Sequence, residues 1–146
     1  MRAATTGEKM ADEISVHDNV VYAYSVDCAG RRLILHTEHR PPELTDVVFR
    51  DVVAHWFEHV QAANVLLDVD EMDVADFVRD NEALFAKSWR YGWPSTEYRG
   101  DLGVLVQQLR AASTRAYLVL ASAGLSGWVL AGGCERIART ERARVG

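Results

Sequence analysis

The stretch His55-Trp56-Phe57-Glu58-His59 holds the residue types and spacing that could most directly carry chemistry. It fits H-x-x-E-H, a pattern of zinc-dependent proteases in which two histidines bind the metal and the glutamate acts as general base. On a helix, residues four apart share one face, so both imidazoles could bind one tetrahedral zinc. On a strand they would lie about 13 Å apart and could not share an ion. The chemistry therefore depends on the backbone conformation of this stretch.

Residues 45–60, which contain this motif, fit either a helix or a strand. On a helical wheel one face is apolar, and it comprises Phe49, Val52, Val53, Trp56, Phe57 and Val60. The content of Val, Phe and Trp favours a strand, and no capping box marks a helix start. Strict alternation fails, so a strand needs a bulge, which we place at Arg50-Asp51. We interpret residues 45–60 as a central bulged strand with Phe49, Val53 and Phe57 as buried anchors.

Two further polar clusters invite a functional interpretation. His36 and Glu38 would share one face of a strand, and with His55 or His59 on a neighbouring strand they could form a metal or acid–base site. The simpler interpretation is a polar rim of a sheet.

The acidic run at residues 68–73 resembles a calcium loop but lacks its glycine, and Met72 stands where a ligand is needed. We interpret it as a turn in which Asp73 caps the next helix, although the pair Asp68 and Asp70 could serve as acid and base.

The sequence contains no G-x-S-x-G elbow, no P-loop and no dinucleotide-binding glycine motif. Cys28 and Cys134 are isolated, which is typical of ordinary thiols rather than of a zinc site or a disulfide framework. We therefore assign no catalytic residue, no metal and no cofactor; the zinc interpretation, with His55 and His59 as ligands, is the alternative.

Length and charge limit the function classes. A chain of 146 residues fits one domain. The net charge of −5 is unevenly distributed, because residues 43–82 hold eleven acidic side chains against two arginines, whereas the last eleven residues hold four arginines. An acidic middle argues against nucleic-acid binding and fits a basic protein partner, or else a solvated face that maintains solubility. No apolar run approaches the about 20 residues of a membrane span, and no signal peptide is evident, so we expect a cytoplasmic protein without a membrane partner.

Periodicity and turn residues predict six strands and two helices. The predicted strands are residues 21–26, 32–38, 45–60, 65–69, 116–121 and 127–131. In the second strand, Leu33 and Leu35 should face the core. The first helix begins at the N-cap Asp73 and ends before Gly92, and the second spans residues 101–112 with Asp101 as its cap.

The order β-β-β-β-α-α-β-β predicts an α+β fold, a mainly antiparallel sheet with two helices packed on one face. We expect a single domain at residues 14–134, a disordered tail at residues 1–13, and an Arg-rich flexible tail at residues 135–146.

Several stretches carry a resemblance: TDVVFRDV at residues 45–52, Phe57-Glu58, VLLDVDE at residues 65–71 and RYGWP at residues 90–94. In these the chain resembles small uncharacterised bacterial proteins of the stand-alone kind suspected to be immunity-type or regulatory partners. The resemblance implies a protein-binding role without catalytic residues and favours the strand interpretation of residues 45–60.

Our leading hypothesis is a non-enzymatic, cytoplasmic protein-binding module with an acidic recognition surface for a basic partner; an immunity-like role is one form of this hypothesis. Its expected binding residues are Asp68, Asp70, Glu71, Asp76 and Trp128. The alternative hypothesis is a small metal-dependent or acid–base hydrolase that uses His55, Glu58 and His59. A third is a small-ligand site at the hairpin that carries Trp128, because tryptophan supplies rigid apolar area and a polar tip.

Overall fold

A computed structural model describes residues 14–144; residues 1–13, for which the sequence predicts a disordered tail, lie outside the described part, as do residues 145 and 146. The described chain folds into eight strands, three α-helices and one 3-10 turn. The elements are β1 Val20–Asp27, β2 Arg32–Arg40, β3 Glu43–Arg50, β4 Ala54–Glu58, β5 Val65–Met72, α1 Val74–Asp80, α2 Glu82–Ser88, the 3-10 turn Trp89–Tyr91, α3 Leu102–Ala111, β6 Arg115–Ala123, β7 Ser126–Ala131 and β8 Gly133–Arg139.

The predicted fold class is confirmed. The strands form one sheet in the order β4-β7-β6-β5-β1-β2-β3-β8, and neighbouring strands are antiparallel throughout. The described residues contain two more strands and one more helix than the sequence predicts. The first predicted helix is divided at Asn81, whose side-chain amide donates to the carbonyl oxygen of Phe77, and Gly92 ends the segment in the left-handed conformation.

A sharp bend divides the central stretch into β3 and β4, so it is extended as we expected but is not a single bulged strand. Asp51 adopts a positive φ of 53° at the predicted bulge. The amide of Gly132 donates to the carbonyl oxygens of Arg50 and Asp51, at 2.8 and 3.2 Å. Gly132 is itself the bend between β7 and β8. The β3–β8 ladder therefore continues into the β4–β7 ladder, and the sheet comprises two four-stranded halves, β4-β7-β6-β5 and β1-β2-β3-β8.

The two halves share an inner hydrophobic cluster. The cluster contains side chains from both halves, each at most 1% exposed: Leu33 and Leu35 of β2, Phe49 of β3, Val119 of β6 and Val129 of β7. The predicted inward orientation of Leu33 and Leu35 is confirmed. Of the other two expected anchors, Phe57 is half-buried against this inner cluster and Val53 packs against a different one.

A second, outer cluster lies where the helices cover one half of the sheet. Side chains alternate along β7, so that Val129 points inward whereas Trp128 and Leu130 point outward. Trp128 and Leu130 pack with Phe77 of α1 and Leu105 of α3. The predicted caps are present, because Asp73 accepts from the amides of Ala75 and Asp76, and Asp101 accepts from the amide of Val104. No helix among residues 14–144 has the length and apolar character needed to cross a membrane.

Strand β8 occupies residues for which the sequence predicts the start of a flexible tail. It pairs with β3 over seven positions, from Gly133 opposite Arg50 to Arg139 opposite Leu44. The arginines of this strand therefore have fixed positions in the sheet.

We expect Gly127→Ala to destabilise the protein severely. Gly127 has a φ of 152°, and a Cβ there would overlap the carbonyl oxygen of Trp56 on the paired strand β4. Because neither backbone can move without breaking the ladder, the loss in the free energy of unfolding should be at least about 3 kcal/mol. Urea or thermal unfolding measures it.

Gly133→Ala is the matched control. No atom lies within 4 Å of a Cβ at Gly133, so this variant should stay within about 1 kcal/mol of the parent. Equal stability of the two variants would contradict the assigned pairing of β4 with β7.

Candidate functional site

Strand β1 has an unpaired edge. It pairs with β5 at a single position, Val20 opposite Val65, and the amide of Val21 donates to the carbonyl oxygen of Asn64. In the described part of the chain, residues 22–27 of β1 pair with β2 alone. Unpaired amide and carbonyl groups along such an edge can bind another extended segment.

An apolar surface lies beside this edge. Tyr24 and Val26 stand opposite Leu35 and Leu33 of β2 and share their inward face. Because β5 has left β1 by this point, Tyr24 and Val26 are 39% and 40% exposed. The ring of Tyr24 meets that of Phe57 edge-on, with centroids 5.6 Å apart. We call the surface formed by Tyr24, Val26, His55 and Phe57 the edge cleft.

His55 is the titratable member of the edge cleft. Its ring lies 5.2 Å from that of Phe57, centroid to centroid. Burial lowers the pKa of His55 below its ordinary value, because the apolar surroundings disfavour the charged imidazolium. A neutral imidazole offers one hydrogen-bond donor and one acceptor to a bound segment.

The H-x-x-E-H motif does not adopt the helical geometry that zinc binding needs. His55 lies within β4, and His59 follows the strand with a positive φ of 60°. Residues 14–144 contain no group of three or more His, Cys, Asp or Glu side chains placed to hold a metal ion. The predicted site of His36 and Glu38 with His55 or His59 is likewise not formed among the described residues. His36 binds Asp46 instead, and Glu38 pairs with Arg142.

The predicted acidic binding residues mostly have arginine partners within the chain. Asp68 pairs with Arg136 at 3.1 Å, Glu71 with Arg115 at 3.2 Å, and Asp76 with Arg79 at 3.1 Å. Asp70 is exposed, and its pKa is raised by loss of solvation and by the neighbouring carboxylate of Asp68. Their role in binding stays a prediction, but much of their charge is neutralised internally.

Trp128 lies in the outer cluster rather than on the surface. It is 5% exposed, and its ring contacts Phe77, Phe85 and Trp93 at centroid distances of 4.9, 6.1 and 5.6 Å. Trp93 in turn contacts Trp56, which is 40% exposed. A partner could reach Trp128 only by opening this aromatic cluster, so its predicted binding role would need such an opening.

A second constellation crosses the outward face of β1, β2 and β3. The Ser25 Oγ lies 3.3 Å from the His36 Nε2, and the His36 Nδ1 lies 2.9 Å from the Asp46 Oδ1. Arg139 of β8 donates to the other carboxylate oxygen of Asp46, at 3.1 Å. His36 and Asp46 are each 6% exposed, whereas Ser25 is exposed. The arrangement is a hydroxyl, an imidazole and a carboxylate in series.

The C-terminal residues close one side of this constellation. The ring of Tyr22 lies 6.1 Å from that of His36, and the guanidinium of Arg142 lies 4.3 Å above Tyr22. Arg142 also pairs with Glu38 at 2.7 Å, and the amide of Ala143 donates to the Tyr22 hydroxyl. The contact of Arg142 with an aromatic face is a cation–π interaction.

Sequence reasoning missed both the edge cleft and the Ser25 constellation. One signal was present for the first, because residues 20–26 contain no charged side chain, which is unusual for an edge strand. For the second, the sequence marked His36 as a possible acid–base residue but gave it other partners. Ser25 and Asp46 lie on the strands beside β2 and meet His36 only through the register of β1, β2 and β3.

No protein-family model, no curated protein and no solved structure matches the chain. The resemblance to small bacterial immunity-type or regulatory proteins therefore stays a prediction.

We expect stability to fall as the pH drops below about 6.5, the pKa of an unfolded-state histidine. His55 has a lower pKa when folded, so between the two values the unfolded chain binds more protons and stability decreases with decreasing pH. His55→Gln should remove this part of the pH dependence. Urea unfolding at pH 5 to 8 measures it, with His59→Asn as the control. An identical pH dependence in parent and His55→Gln would contradict burial of the imidazole.

We expect Arg136→Ala to lower the free energy of unfolding by about 1–3 kcal/mol, because it leaves three hydrogen-bond acceptors without their donor. The side chain of Arg136 is 16% exposed and donates to the carbonyl oxygens of Ile14 and Val69 and to Asp68. Arg144→Ala removes an exposed arginine and should change stability by no more than about 0.5 kcal/mol. Equal effects in thermal unfolding would contradict the fixed position of Arg136 and favour the flexible tail expected from the sequence at residues 135–146.

Proposed function

We propose that the protein is a protein-binding module that binds an extended segment of its partner by strand addition to the free edge of β1. The observation that supports this proposal best is the pairing of residues 22–27. Among the described residues they pair with β2 alone, and Tyr24 and Val26 are exposed beside their free edge. In strand addition, main-chain hydrogen bonds supply affinity and pockets for alternate side chains supply specificity.

The chemistry of the cleft defines the segment that fits. Tyr24, Val26 and Phe57 offer apolar contacts on the inward face, so the partner should carry apolar residues at alternate positions. Burial lowers the pKa of His55, so its imidazole favours an uncharged side chain or a backbone group opposite it.

An acidic recognition surface is the competing site for the same function. Three of its four acidic members already pair with Arg136, Arg115 and Arg79, so a basic partner would have to displace these arginines. Surface ion pairs contribute little net free energy, about 0–1 kcal/mol each, and exchanging one for another gains less. The edge cleft needs no such exchange, which is why we favour it.

The test is to select binding peptides from a displayed random library on the intact protein and to measure their affinity for edge variants. Val26→Lys and Tyr24→Lys place a charge beside the edge, which natural proteins use to block strand pairing. Each should weaken binding by at least about 10-fold, equivalent to about 1.4 kcal/mol. Amide hydrogen exchange of residues 22–27 should slow when a peptide binds.

Leu67→Lys is the matched control, because Leu67 is also an apolar strand residue with 43% exposure but lies on β5. Its affinity should equal that of the parent. If peptide affinity is unchanged by Tyr24→Lys and Val26→Lys but falls in Asp70→Lys, the peptides bind the acidic surface instead of the edge of β1.

A further inference from the structure

We propose that Ser25 is a nucleophile activated by His36 and Asp46, and that the outward face of β1 hydrolyses esters of small carboxylic acids. This inference is independent of strand addition, because side chains alternate along β1. Tyr24 and Val26 face inward toward the edge cleft, whereas Ser25 faces outward toward His36.

The donor and acceptor groups of Ser25, His36 and Asp46 determine the direction in which a proton moves. An ionised carboxylate accepts hydrogen bonds only, so the His36 Nδ1 must carry a proton that it donates to Asp46. In the neutral imidazole, the Nε2 is then the acceptor, and the Ser25 hydroxyl donates to it across 3.3 Å. A nucleophile within reach of a base that a third group orients is the arrangement that activates a serine.

Burial gives each member a distinct role. Asp46 is 6% exposed and receives Arg139 on its second oxygen, so its carboxylate is fixed and stays oriented toward His36. Asp46 and Arg139 are therefore positioning residues, which act through the imidazole. Ser25 is exposed, so an ester can approach its hydroxyl from solvent.

The reaction balances within these groups. The Ser25 Oγ forms a bond to the ester carbonyl carbon while its proton passes to the His36 Nε2. The carbon–oxygen bond to the leaving alcohol breaks, and the imidazolium returns the proton to that alcohol. A water molecule, deprotonated by His36, then attacks the acyl–serine carbon, which releases the carboxylic acid and restores the Ser25 hydroxyl.

The openness of the site defines the substrate class. Ser25 is exposed on the outward face of β1, so we infer that the site takes small esters that approach from solvent rather than enclosing a long acyl chain. We ascribe its rate enhancement to general-base catalysis, about 10²- to 10⁴-fold, which suits esters with good leaving groups rather than amides.

The test is covalent labelling of the intact protein with a fluorophosphonate, followed by peptide mass mapping. Ser25 should be labelled at least about 100-fold faster than Ser122, an exposed strand serine whose hydroxyl donates only to the carbonyl oxygen of Val65. Ser25→Ala should abolish both labelling and the hydrolysis of p-nitrophenyl acetate above background, whereas Ser122→Ala should change neither.

Two variants test the positioning chemistry. His36→Gln should lower the labelling rate by about 100-fold, and Asp46→Asn should lower kcat with little change in KM, because Asp46 does not touch the ester. Circular dichroism and thermal unfolding establish that each variant folds. If either buried substitution unfolds the chain, peptide mapping of the labelled parent protein still tests the proposal. Labelling of Ser25 no faster than labelling of Ser122 would overturn it.

Discussion

The hydrogen bonds of one amide determine the shape of the molecule. Gly132 donates to the carbonyl oxygens of Arg50 and Asp51, so the bend between β3 and β4 and the bend between β7 and β8 occur at the same point. A single antiparallel sheet is thereby turned over on itself, and its two halves enclose the inner cluster. The helices cover only the half that contains β4, β6 and β7, which leaves the outward face of β1, β2 and β3 for the polar constellation of Ser25, His36 and Asp46.

Charges that are separated along the sequence are paired by this fold. The acidic middle and the arginine-rich C-terminal end look like independent features in the sequence. In the structure, β8 runs beside β3, and its arginines meet acidic groups from distant strands: Arg136 meets Asp68, and Arg139 meets Asp46. The uneven distribution of charge along the sequence therefore mostly reflects ion pairs within the folded chain. It is weak evidence for a charged recognition surface.

Local signals were sufficient for the fold class and the helix caps, but not for every strand or for the order in which the strands pair. Helix caps at Asp73 and Asp101 and the alternation of Leu33 and Leu35 depend on residues close in sequence, and all were predictable. The bend at Asp51 and the pairing of β8 with β3 depend on Gly132, about 80 residues away, so the sequence showed one strand and a flexible tail instead. The candidate sites require strand order and register, which no local pattern encodes.

The composition of the edge strands argues that the edge of β1 is used. Exposed strand edges pair with other chains unless charges, prolines or bulges prevent it. Strand β8, at one end of the sheet, carries Glu135, Arg136 and Arg139, which oppose such pairing. Strand β1 has a bulge after Val21 but no charged side chain before Asp27, and two of its apolar side chains are exposed beyond the last contact with β5. An edge left this unprotected favours association with an extended segment, and the inward cleft at Phe57 gives that association a side-chain specificity that aggregation lacks.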